Sequence, residues 1–382
     1  MSNLDKIIIE FINKHKIKIF ISISSMLALI IRYYFFNIES DDYKVFLLPW
    51  TKHFAESNAF SGLKTTDSNY NVPYLYLLLF ISKLNINYLF SIKAISVFFD
   101  FLGAIGCYFI VKFLKGRDGE LLAAITYALV LFNPIVILNS AAWAQCDMIY
   151  TSFIIFSLYY ILKKDYIKAF ILFGISFAFK LQAIFLLPLY VLLYFKKKSF
   201  SIFNFLIIPL VYIIIYIPSV LVGRPLWKIF GIYFGQVKET NTLVYNFPSI
   251  YNILPNKGEY FRMPGMIFTF MLIGIIVLYL MNDLRTISDN QILELAILFI
   301  VVETFFLPGM HDRYMFVAEI ISIIYLILKK NFIIPIGINL MSFNCYINYL
   351  FGCTFIDIKI TTIIQLCLVI ILLLKTILYT DN

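Results

Sequence analysis

Four short segments hold most of the side chains able to do chemistry in this 382-residue chain. The first runs from Arg32 to Trp50, RYYFFNIESDDYKVFLLPW, and carries Glu39, Asp41 and Asp42 just beyond an apolar run. A carboxylate at the lip of a cavity can act as a general base or a metal ligand; in a solvated loop it does neither. Adjacent carboxylates on an extended segment point apart, so only one of Asp41 and Asp42 can face a reacting atom. The second segment is Asn69-Tyr70-Asn71-Val72-Pro73-Tyr74-Leu75-Tyr76. Its amides and phenols suit a sugar or phosphate contact, or the tyrosines anchor the chain at a membrane surface. The third, Asn139 to Asp147, combines Trp143, Gln145 and Asp147 with small residues. An indole offers a stacking face, and an amide and a carboxylate bind hydroxyls; alternatively Asp147 only caps the next helix. The fourth, Phe305 to Phe316, contains His311 and Arg313. Arginine presents a planar fork matched to phosphate oxygens, unless it merely snorkels to an interface.

The sequence between these segments must position them, and it is very apolar. Hydrophobic residues make up 62% of the chain and charged ones 14%, where a soluble domain runs near half and a quarter. With 40 Phe, 27 Tyr and a mean hydropathy of +0.88, too little polar surface remains to coat a water-soluble globule. A cytosolic enzyme, a disordered scaffold and a disulfide-rich secreted domain are excluded. A nucleic-acid partner is not expected either, although the net charge is +9 and the pI about 9.1. The five cysteines (107, 146, 345, 353 and 367) lie in or beside apolar runs without metal-ligand spacing, as inert thiols do.

Apolar runs fall near 17–36, 88–113, 119–137, 147–162, 166–180, 181–195, 200–221, 264–281, 291–307, 314–328, 332–350 and 358–379. Lysines and arginines gather in alternate connections: Lys6 to Lys18, Lys112 to Arg117, Lys163 to Lys168, Lys196 to Lys198, Arg285, Lys329 and Lys330, and Lys375. The opposite short connections, 138–146 and 308–312, have only Arg313 at an edge. The positive-inside bias therefore predicts cytoplasmic termini, a basic leader over Met1 to Lys18 with no cleavable signal, and long outer loops at 37–87 and 222–263. Around Val45 the first loop has the pattern of an interfacial helix. The stretch 166–195 has basic clusters on both flanks, so it must return to the side it left. Two legs of about 15 residues reach only about 22 Å each, which predicts a short hairpin with Lys180 and Gln182 at its buried turn. The expected fold is all-α and polytopic, a single unit over 1–382 with about 11–12 transmembrane helices. That parity brings all four polar segments to one face, a composition suited to a lipid-anchored phosphate beside a sugar.

At the level of motifs the chain resembles the GT-C superfamily of polytopic glycosyltransferases, and within it the bacterial family related to GPI mannosyltransferase II. SDDYKVFLLPW, NYNVPYLYLL, WAQCD, FAFKLQAIFLLP and FFLPGMHDRYMF carry the resemblance, in the family's order. Asp41 stands where a small residue is usual, Ala144 replaces the glycine of WGQ, and HDR replaces HER. The resemblance implies a GT-C-like bundle that moves mannose or another hexose, with inversion, from a polyprenyl-phosphate donor to an acceptor hydroxyl. The acceptor would be a glycan, glycolipid or polymer, at the outer face of a bacterial cell membrane and among its lipids. Asp42 matches the catalytic aspartate, with Asp41 or Glu39 positioning it. A divalent cation, Mg2+ or Mn2+, is an option at Asp41, Asp42 and Glu39. His311, Arg313 and Lys180 would face the donor phosphate; Trp143, Gln145, Asp147, Gln182, Tyr70, Asn71 and Arg32 would hold sugar or acceptor. The competing reading is a transporter or flippase of lipid-linked saccharides, which shares the spans and the buried lysine.

Overall fold

A computed structural model describes residues 2–238, 242–255 and 258–378. The last residue of the expected run 358–379, the chain's C-terminus and Met1 lie outside the described residues. The protein is an all-α membrane protein: helices follow one another along nearly all of the described residues, and among these the strand content is one pair of two-residue strands. The elements are α1 (Asn3–Phe35), α2 (Leu48–Glu56), α3 (Gly62–Thr65), α4 (Val72–Ser82), α5 (Tyr88–Lys115), α6 (Glu120–Phe132), α7 (Pro134–Ile137), α8 (Asp147–Leu162) and α9 (Tyr166–Phe179). They continue with α10 (Leu187–Lys197), α11 (Ile207–Leu221), α12 (Lys228–Lys238), α13 (Gly258–Asn282), α14 (Asp289–Phe306), α15 (Phe316–Lys329), α16 (Ile333–Phe351) and α17 (Ile358–Leu378). Strands β1 (Val244–Tyr245) and β2 (Met310–His311) pair in parallel.

Each apolar run expected from sequence coincides with helix. The caps explain several boundaries. The Asn87 side chain accepts from Phe90 N at 3.1 Å to start α5, and Gly116, at φ +66°, ends it in a conformation that glycine adopts freely. Asn71 caps α4 through Val72 N at 2.9 Å, and Pro73 follows inside the first turn. The stretch 37–87, expected as the first outer loop, contains short helices, α2 to α4, around the expected interfacial stretch.

Five helical segments among the described residues are long and apolar enough to cross a membrane by themselves. Other helices are shorter. At 1.5 Å per residue, α8 (16 residues), α9 (14) and α15 (14) span about 24, 21 and 21 Å, against about 30 Å of hydrocarbon. The 166–195 hairpin is formed as expected: α9 stops at Phe179, Lys180 is extended, and a 3-10 turn, Leu181–Leu186, leads into α10.

Helix packing relies on small residues. A Cβ on Gly103 would sit 2.6 Å from Met148 Sδ, and one on Gly106 would sit 2.8 Å from Ile155 Cγ2, so α5 and α8 approach closely because both are glycine. Arg32, expected at the substrate, is instead a buried tie between α1, α5 and α6. Its Nε donates to Asp100 Oδ2 at 2.8 Å and its Nη1 to Leu131 O at 3.0 Å, while Ser140 Oγ donates to the same Asp100 oxygen at 2.6 Å. Both ionic side chains are essentially inaccessible. Removing one partner of a buried pair strands the other charge, which costs about 3–5 kcal/mol, whereas an apolar pair of similar volume is often tolerated. Asp100→Ala is therefore expected to lower the thermal unfolding temperature in detergent sharply. Arg32→Met with Asp100→Leu should recover most of the loss; equal damage in both would remove the ion pair from this role.

Candidate active site

The polar site lies where α8 begins and α9 ends. Its third segment is shaped by a π turn, Leu138–Ala142, closed by Trp143 N donating to Leu138 O at 2.8 Å. Ala144 then takes φ +66°, and Gln145 N donates back to Asn139 O at 2.9 Å. This reversal turns Trp143 and Gln145 toward the first segment. Ser40 Oγ pins the two segments together by donating to Trp143 O at 2.7 Å. Asp42 Oδ2 consequently accepts from Trp143 Nε1 at 2.8 Å and from Gln145 Nε2 at 2.6 Å. The Asp42 backbone N–H donates to the Tyr349 hydroxyl at 3.2 Å.

The fourth segment arrives through β2, held against β1 with Tyr245 opposite His311 and with Gly309 N donating to Leu243 O at 2.7 Å. Arg313 projects into the middle of the cluster. Its Nη2 lies 3.4 Å from Asp42 Oδ2, its Nη1 3.7 Å from Asp147 Oδ2 and its Nε 3.6 Å from Asp312 Oδ1. It also donates to Gln145 Oε1, which accepts from Tyr70 Oη at 3.0 Å as well. Asp147 is fully buried; it pairs with Lys180 and accepts from Asn139 Nδ2 at 2.8 Å. Beside the cluster is a cavity of about 300 Å³, walled by Tyr70, Lys180, Gln182, Tyr245, His311 and Arg313.

Several expected roles are redistributed. Trp143 offers no stacking face: Tyr349 stacks on it at 4.0 Å, Arg313 lies 4.7 Å over the ring, and it is 1% exposed. It and Gln145 position Asp42 rather than grip a ligand. Asp147 makes no capping bond; its oxygens are spent on Lys180 and Asn139. Asn71 lines the cavity too, but its amide is a helix cap whose Nδ2 donates to Tyr212 and Tyr233 at 3.0 and 3.2 Å. Asp41 and Glu39 are exposed, away from the enclosed cluster, whereas Gln182 and Tyr70 do reach the cavity. Sequence reasoning missed Tyr349, Tyr346, Asn139 and Tyr245. Tyr346 and Tyr349 are spaced i, i+3 near the end of α16, the one pattern that could have revealed them.

His311 is not the cation it was expected to be. Burial, helped by Arg313 and Lys180, pushes its imidazole down to about 4, so it is neutral near pH 7 and stacks on Tyr245 at 4.3 Å. Burial outweighs Arg313 at Asp312 and pushes that carboxyl up to about 6. The two act oppositely on stability. The unfolded chain protonates His311 first, so its contribution is lost as pH falls from about 6.5 toward 4; that of Asp312 is lost as pH rises from about 4 toward 6.

Among the described residues no three His, Cys, Asp or Glu side chains converge as a metal site. Asp42 already takes two N–H donors and faces Arg313, and Asp41 and Glu39 do not turn toward it. A divalent ion held by Asp41, Asp42 and Glu39 does not fit this arrangement. No family model matches the chain, and no curated protein matches it.

Two outcomes test this geometry. Carbethoxylation of His311, which requires a neutral imidazole, should keep its rate between about pH 7 and about pH 5; a fall centred near pH 6.5 would mean a solvated ring. Ala144→Gly should raise thermal stability by about 1 kcal/mol, because left-handed backbone costs an L-residue roughly that much. A lowered unfolding temperature would contradict the turn.

Proposed function

We propose that this protein is an inverting glycosyltransferase of the GT-C type, moving mannose or another hexose from a polyprenyl-phosphate donor to an acceptor hydroxyl. The observation that carries the reading is the meeting of Asp42 with Arg313 at 3.4 Å beside a cavity that Lys180 also lines. One carboxylate able to take a proton thus adjoins two cations able to hold a phosphate. The first and fourth motifs come from opposite ends of the chain.

In the reaction Asp42 takes the acceptor's hydroxyl proton as its oxygen attacks the sugar's anomeric carbon. The new C–O bond forms as the bond to the phosphate oxygen breaks, and that electron pair leaves with the lipid phosphate. Arg313 and Lys180 stabilise the charge gathering there. Neutral His311 supplies a ring and a hydrogen bond rather than a charge. A donor phosphate competes with Asp42 for the Arg313 guanidinium.

The same reading places 11–12 spans in a bacterial cell membrane, with both termini in the cytoplasm and the site facing outward. Its support is that the basic clusters Lys163-Lys164, Lys196 to Lys198 and Lys329-Lys330 sit at the ends of α8, α10 and α15 remote from the site.

The test is mass spectrometry of products from purified protein in vesicles, offered a panel of polyprenyl-phosphate hexoses with glycan and glycolipid acceptors. Asp42→Asn should lower turnover by about 10²–10⁴-fold with the protein still folded. Arg313→Lys should weaken donor use because a point charge cannot replace the fork. Near-normal turnover of Asp42→Asn would remove it as the base. Lipid translocation without product would favour a flippase.

A further inference from the structure

A second cavity of about 390 Å³ lies beside the first, and Asn69 lines both. Its walls are Trp50, Trp227, Asp67, Ser68 and Lys228, with Gly231 on α12. Two of the chain's three tryptophans are therefore here. Trp227 is 71% exposed, and a Cβ on Gly231 would stand 3.3 Å from its Cε3, so the glycine lets the indole lie down against the helix. Trp50 is buried, and its ring centroid is 5.6 Å from that of Tyr70, which belongs to the inner cavity. The wall between the two chambers is thus Trp50, Tyr70 and Asn69.

Indole faces with a carboxylate, an amide, a hydroxyl and an ammonium form a particular chemistry. It suits a ring with apolar C–H faces and an equator of hydroxyls. A lipid chain would want the polar groups gone; of the two cations on the lining, Arg224 is buried and already donates to Tyr216 Oη at 3.0 Å and Leu63 O at 2.6 Å, and Lys228 shares the chamber with Asp67, so the walls are not a phosphate cradle. We infer that the outer chamber is a saccharide subsite that holds the sugar chain of the acceptor, its terminal hydroxyl passing Asn69 and Tyr70 toward Asp42. The inference rests on the proposed transfer for the word acceptor, but saccharide binding itself does not.

Saturation-transfer NMR on the full-length protein in detergent, with mannotriose and glucotriose as probes, reads that binding directly. Wild type should transfer saturation to ring protons of at least one probe. Trp227→Ala, at an exposed position, should weaken binding about tenfold or more, as loss of an aromatic anchor does. Asp67→Asn should weaken it less. No saturation transfer in wild type, or binding indifferent to both Trp227→Ala and Asp67→Asn, would overturn the subsite. Sugar binding that responds to Trp227, in a protein that transfers from no donor, would uphold the subsite and overturn the transferase.

Discussion

The arrangement depends on one buried cation. Arg313 keeps only 14% of its side chain exposed, and its charge has to be met inside the protein. Asp42, Asp147 and Asp312 meet it from three sequence segments, and Gln145 and the Trp143 ring complete its surroundings. An unpaired charge there would cost several kcal/mol, so the first, third and fourth segments must converge for the bundle to close. Lys180 then joins from the turn of the 166–195 hairpin through Asp147. Stability and chemistry draw on the same contacts.

Helix length sets the depth of this cluster. The helices that end at it, α8, α9 and α15, are each several residues short of a membrane's hydrocarbon thickness. Longer neighbours such as α5, with 28 residues, rise beside them. A recess results, and the outer loops fill it: Trp50 and Tyr70 come from one, Tyr245 and Asn246 from the other. Asn246 Nδ2 donates to Cys345 O at 2.9 Å and its Oδ1 accepts from Asn348, tying the loop to α16.

Much of this was legible in the sequence for identifiable reasons. Hydropathy located the long apolar helices, since a run apolar enough for lipid has no other way to satisfy its backbone, but not α3, α4 or α12, which fall in the stretches expected as loops. Charge parity placed Asp42, Asp147, Lys180 and Arg313 at one end, and the structure joins them. What failed was the assignment of individual contacts. Trp143 reads as a stacking platform until Tyr349, some two hundred residues later, covers it. Asn71 does line the cavity, with its amide bonded to Val72 N, Tyr212 and Tyr233. His311 reads as charged because burial depends on β1, which no local pattern announces. Arg32 reads as a substrate contact because its partner, Asp100, sits mid-helix in an otherwise apolar run.

The same charge geometry bears on why the proposed reaction needs no large rearrangement. The cluster holds two cations, Lys180 and Arg313, and three carboxylates, Asp42, Asp147 and Asp312. Lys180 is paired with Asp147 and Arg313 with Asp42, so in the proposed reaction each cation stands between a carboxylate and the donor phosphate. As the acceptor proton moves to Asp42, that carboxylate loses its negative charge while the departing phosphate gains one. The total is conserved, and only its position changes. A guanidinium fork that can address two oxygens at once follows that shift by exchanging hydrogen bonds, without leaving the Trp143 ring. In a site of low dielectric a pre-placed cation of this kind is where most of the rate gain resides, because little reorganisation is left for the transition state to drive.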